Sequence, residues 1–65
     1  MSVEYVRNVI EAHGLKLHKV SYETQTPYQK LSDYLNNRGE LSINQQHRLS
    51  QYLDYLDSIE PFRRY

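Results

Sequence analysis

Apolar residues recur along this chain at intervals of three and four, and the breaks in that rhythm mark out helices. Val3, Val6, Ile10 and His13 share one helical stripe, and Tyr5, Val9 and Ala12 broaden it. Ser2 stands where an N-cap belongs. Gly14 can take the left-handed conformation that ends a helix, letting Leu15 fold back on the last turn. The spacing predicts a first helix over about 3–13. Leu17, Val20 and Ser21 then give the inner face of a short helix over about 17–24, with Lys16, Lys19 and Glu23 outward. A turn at Glu23-Thr24-Gln25-Thr26 comes next. Thr26 is placed to cap the next helix and Pro27 to occupy its first position, where a missing N–H costs nothing.

That third helix is predicted over about 27–36. Leu31, Tyr34 and Leu35 form its inner face, leaving Tyr28, Gln29, Ser32, Asp33 and Asn36 outside. Asn37-Arg38-Gly39 breaks it. Ser42-Ile43-Asn44-Gln45 has the spacing of a capping box. Leu49, Tyr52, Leu53, Leu56 and Ile59 carry the apolar rhythm on to Pro61. The expectation is one long helix over about 43–59, or two helices with a slight bend near Asp54. Nothing reads as a strand. The chain is therefore expected to be all-α: a compact domain of four to five helices over 1–60, with a short tail at 61–65 that is ordered only if Phe62 or Tyr65 finds a surface.

Length limits what this fold can do alone. A 65-residue chain buries only roughly 60% of its unfolded surface, so a partner would help it. There is no cysteine, hence neither a disulfide nor a thiolate metal site, as suits the cytosol. No apolar run approaches the ~20 residues that span a bilayer, and the N-terminus has no signal-peptide pattern. Seven tyrosines against one phenylalanine suit a small domain whose core is barely covered, because a tyrosine can sit half buried with its hydroxyl in water.

Charge changes the picture more. The formal net charge is zero, but its distribution is uneven. Over 14–39, Lys16, Lys19, Lys30 and Arg38 outweigh Glu23 and Asp33; over 40–60, Arg48 faces Glu40, Asp54, Asp57 and Glu60. The central stretch is basic and the last helix acidic. No catalytic constellation is visible. His13 and His18 straddle a helix break and His47 stands alone, so they read as surface or boundary residues rather than metal ligands. No enzyme activity and no cofactor are expected.

The central stretch resembles the helix-turn-helix of the phage repressor and Cro family, the XRE-like domains. The resemblance rests on Gly14-Leu15, Val20-Ser21, Gln25-Thr26-Pro27, Leu31 and Asn36-Asn37, in register without a gap, and covers residues 3 to about 56. Three departures stand out. Gln25 occupies a turn position that is usually glycine, where left-handed backbone would cost it about 1 kcal/mol. Leu17 stands where many members have a phosphate-clamping glutamine. Ile10 and Leu35 stand where several members have a buried Arg–Glu pair, a coincident exchange that apolar packing tolerates.

The resemblance implies a lambda-repressor-like fold that puts the start of the third helix in the DNA major groove. Tyr28, Gln29, Lys30, Ser32 and Asp33 would then face base edges or a partner. Gln29 would suit adenine and Lys30 guanine or a phosphate. Asp33 reads more naturally as a helix-surface partner of Lys30 or Asn37 than as a base contact. Lys16, Lys19, Asn36, Asn37 and Arg38 would hold phosphates. With about four phosphates neutralised per monomer, the log–log salt slope would be about −3 to −4. Tyr52, Tyr55, Leu56, Phe62 and Tyr65 form an aromatic group that is either core packing or an interface to a second copy or another protein. The implied function is a transcriptional regulator binding double-stranded operator DNA, as a homodimer, in a bacterial cytosol at the nucleoid. The alternative is a helix-turn-helix protein acting by protein contact, such as an antirepressor that sequesters a phage repressor in a heterodimer. Zero net charge, Asp33 and the Pro27-Tyr28 tip fit that alternative.

Overall fold

The computed structural model describes residues 2–59, which form four helices and, among them, no strand. They are α1 (Val3–Ala12), α2 (Leu17–Glu23), α3 (Tyr28–Leu35) and α4 (Ile43–Ile59). The last is one continuous helix, so the alternative of two helices divided near Asp54 is not formed, and the described residues hold four helices. The tail at 61–65 lies outside the described residues.

Local chemistry sets the ends. Ser2 caps α1 by accepting from the Tyr5 amide at 3.1 Å. Ser42 and Gln45 close a reciprocal capping box on α4: Ser42 Oγ accepts from the Gln45 amide at 3.1 Å, and Gln45 Oε1 from the Ser42 amide at 2.9 Å. At the other ends, α1, α2 and α3 all finish in the same way. A left-handed residue stands two places after the last helical one: Gly14 (φ 63), Gln25 (φ 53) and Asn37 (φ 58). In each case the next amide reaches back to a carbonyl five residues earlier: Leu15 to Ile10 at 3.0 Å, Thr26 to Ser21 at 3.1 Å and Arg38 to Asp33 at 2.7 Å. These are Schellman closures, which satisfy carbonyls the helix leaves open.

Thr26 does not cap α3. Its amide is committed to α2's closure, and its hydroxyl, buried, donates to the Thr24 carbonyl at 3.3 Å. Pro27 takes the cap position instead, with extended backbone (φ −53, ψ 137), and its carbonyl accepts the first helical bond from Leu31 at 3.0 Å.

Among the described residues, ten make the core: Val6, Val9 and Ile10 from α1, Val20 from α2, Leu31 and Leu35 from α3, Leu41 from the loop, and Leu49, Leu53 and Leu56 from α4. Ile10 and Leu35 both lie in this one cluster. Tyr5 and Ala12 do not broaden the buried face of α1; both are exposed, because α1 buries a stripe only as wide as Val6, Val9 and Ile10. Arg7 runs along that helix to donate through Nη2 to the Leu35 carbonyl at the end of α3. No described helix is long and apolar enough to cross a membrane.

Candidate nucleic-acid interface

The α2–turn–α3 unit is fastened from outside. Thr24 is buried and donates its hydroxyl to the Val20 carbonyl at 2.7 Å. Arg48 reaches over from α4, with Nε 2.8 Å from the Thr24 carbonyl and Nη2 3.3 Å from the Gln25 carbonyl. A guanidinium has five donors in a rigid fork, so two carbonyls of one turn are a natural target. It also places positive charge at the C-terminal end of α2, where the helix dipole favours it. The left-handed Gln25 is thus held by α2's own closure and by α4. The sequence foreshadows the conformation of Gln25 but not the reach of Arg48. The available signal was a lone cation in the otherwise acidic run of α4.

Beyond the turn, the first turns of α3 face outward. Tyr28, Gln29 and Lys30 are exposed, and Ser32 and Asp33 are half buried. The Tyr28 ring stacks on His18 of α2, with centroids 4.1 Å apart and planes 10° from parallel. This contact, unforeseen in the sequence, joins the front ends of α2 and α3 on the surface. Gln29 Nε2 donates to Asp33 Oδ1 at 3.0 Å, and Arg38 Nε lies 3.8 Å from the same oxygen. Asp33 is indeed a helix-surface partner, but of Gln29 and Arg38 rather than Lys30 or Asn37. Asp33 and Gln29 share a helix face at i, i+4, and the Schellman closure brings Arg38 back over Asp33.

The expected phosphate-binding residues are divided by their own contacts. Lys19 pairs with Glu23 at 3.7 Å, both partly exposed, and Arg38 is the partner of Asp33. Asn36 turns its amide back to the Ser32 carbonyl at 2.8 Å. Asn37 is exposed, its left-handed backbone closing α3. Lys16, at the N-cap of α2, and Lys30 are exposed, and neither has an ion pair among the described residues. Exposed pairs such as Lys19–Glu23 contribute little and can exchange for a phosphate, but at rest two cations on this side are uncommitted.

The aromatic group on α4 is divided too. Leu56 is core, 8% exposed, while Tyr55 is 58% exposed and Tyr52 half buried. Tyr52 and Tyr55 edge a shallow depression against Lys19 and Glu23 of α2. The Tyr52 hydroxyl is buried with no hydrogen-bond partner among the described residues. Burial raises its pKa above the ordinary tyrosine value, with Glu23 adding to the effect. Phe62 and Tyr65 lie outside the described residues. Of the histidines, His47 is exposed and the side chain of His13 is enclosed, its Nε2 3.7 Å from Asp57 Oδ1. Among the described residues, no three metal-ligating side chains converge. No family model, curated protein or solved structure matches this chain.

Proposed function

We propose that this chain is a small helix-turn-helix regulator of the phage repressor and Cro type, which binds operator DNA through the first turns of α3. The observation that carries the reading is the outward front of α3: Tyr28, Gln29 and Lys30, exposed, directly after a turn pinned by Arg48. A protruding helix start on a rigid turn is what entry into a major groove requires. Gln29 supplies a donor and an acceptor for base edges, and Lys16 and Lys30 meet the backbone. Two such units on a two-fold operator would give the monomer, weakly charged by itself, a usable footprint. Bound across a promoter, the dimer excludes polymerase. The reading implies a bacterial cytosol at the nucleoid, no cofactor and no catalytic activity.

A titration against random-sequence and operator-containing duplexes at about 50 and about 200 mM salt tests it. With Lys16 and Lys30 as the cations that bind phosphates, the log–log slope is about −2 per monomer and about −4 per dimer. This is shallower than the −3 to −4 per monomer expected from the sequence, because Arg38 and Lys19 already face carboxylates. For a dimer, affinity should fall about a hundredfold between the two salt concentrations. Weak binding that is flat with salt sinks the reading.

A second reading has its own support. Asp33 places a carboxylate within the same face, and Tyr22 at 81%, Tyr55 at 58% and Tyr28 at 40% exposure offer aromatic surface to a protein. In that case the face covers the DNA-reading surface of a phage repressor, as an antirepressor does. A stable heterodimer with such a repressor, together with salt-insensitive DNA binding, would select it.

A further inference from the structure

The contacts of Asp33 bear on which base Gln29 reads, provided that α3 enters DNA as proposed. A glutamine amide can face either way, with its oxygen and nitrogen exchanged. Here it cannot. Asp33 Oδ1 is an acceptor only, so the group 3.0 Å away from it must be the NH2 of Gln29. The carboxylate is itself held. Arg38 Nε lies 3.8 Å from the same oxygen, and the Arg38 amide donates to the Asp33 carbonyl at 2.7 Å. One N–H of Gln29 is thereby spent. What remains on the amide is its carbonyl acceptor and one N–H donor.

We infer that Asp33 is a positioning residue that fixes the Gln29 amide in the orientation selecting adenine. Adenine offers an N6 donor beside an N7 acceptor, the complement of that pair. Guanine offers two acceptors, O6 and N7, so its O6 would meet the glutamine oxygen. A glutamine with both N–H groups free can turn its NH2 outward and donate to O6 and N7 of guanine together; one that spends an N–H on a carboxylate gives up that hydrogen bond to do so. Arg38 offsets the charge that Asp33 brings near the phosphates.

The test uses the full chain and a pool of random duplexes. Sites selected by the wild type, compared with those selected by Gln29→Ala, identify the base pair that Gln29 reads. The ratio of Kd for guanine to Kd for adenine at that pair is then measured for the wild type, Asp33→Asn and Asp33→Ala, with circular dichroism verifying equal helicity. The expected wild-type ratio is about tenfold in favour of adenine. Asp33→Asn keeps the shape but can donate as well as accept, so the amide is released. The ratio should fall by about twofold, the size of an exposed i, i+4 pair, while affinity for both duplexes holds or rises, a negative charge having gone. Asp33→Ala should behave in the same way. A loss of fold or a general weakening does not mimic this, because it would move both constants together. A ratio unchanged in both Asp33 variants, or a Gln29→Ala selection identical to wild type, overturns the inference alone. A wild type that selects no sequence overturns both it and the DNA-binding reading.

Discussion

Gln25 holds a backbone conformation that its side chain disfavours. Left-handed backbone costs an L-residue about 1–2 kcal/mol, and glycine escapes that cost while losing about 0.5–1 kcal/mol more chain freedom on folding. The side chain of Gln25 is exposed, so little else is at stake at that position. Gln25→Gly should therefore raise stability by about 0.5–1 kcal/mol, read as a higher urea midpoint with an unchanged slope. Gly14 is the mirror case. A Cβ added there meets nothing within 4 Å, so Gly14→Ala isolates the backbone term and should lower stability by about 1 kcal/mol. If both variants shift the midpoint in the same direction, the left-handed closures are not what sets these ends. Both positions were legible in the sequence. Glycine announces the end of α1, and the resemblance drawn from the sequence marks Gln25 as a turn position where glycine is usual.

At the scale of the elements, α2 is the weak member. Seven residues cannot sustain a helix in water, so α2 is kept by what packs on it. Arg48 is a polar part of that support, closing two carbonyls across more than twenty residues of sequence. Hydrogen bonds from a charged donor contribute about 1.5–3 kcal/mol, and Arg48→Ala should cost an amount in that range. In a domain of this size each kcal/mol moves Tm by about 4–8 °C, so a calorimetric melt decides the matter. A Tm within about 2 °C of wild type would mean that water replaces the guanidinium without loss. Ser42→Ala, which breaks the capping box of α4, should cost about 1 kcal/mol in the same measurement. The contrast between the two sites explains what a sequence can reveal. The capping box lies within four residues and is spelled by its own spacing. Arg48 and its carbonyls belong to different helices, and nothing local to either names the other. The outward face of α3 obeys the same rule. Its composition is plain from helical periodicity, whereas the tie of Asp33 to both Gln29 and Arg38 needs the backbone closure after Leu35 to be in place.

The whole molecule rests on a small core and has little stability to spare, on the order of 3–10 kcal/mol for a chain of this length. Against that, the half-buried Tyr52 is an anomaly: its hydroxyl is enclosed without a hydrogen-bond partner among the described residues. An unsatisfied buried hydroxyl gives nothing back for its lost hydration, so Tyr52→Phe should be neutral or stabilising by up to about 1 kcal/mol at pH 7. The same burial sets a limit at alkaline pH. Burial first, and Glu23 second, raise the Tyr52 pKa; burial first, then Asp57 and Asp54, do the same for the largely exposed Tyr5, whose share solvent screens. A raised folded-state pKa means that the native chain keeps a proton the unfolded chain has begun to lose. Stability is therefore undiminished below the ordinary tyrosine value of about 10 and declines as pH rises through the higher folded value. Urea unfolding measured from pH 8 to 11.5 should show this decline, and Tyr52→Phe should flatten it while Tyr55→Phe, on an exposed side chain, leaves it in place. Equal decline in wild type and Tyr52→Phe would locate the alkaline weakness elsewhere, in the lysines or in Tyr5.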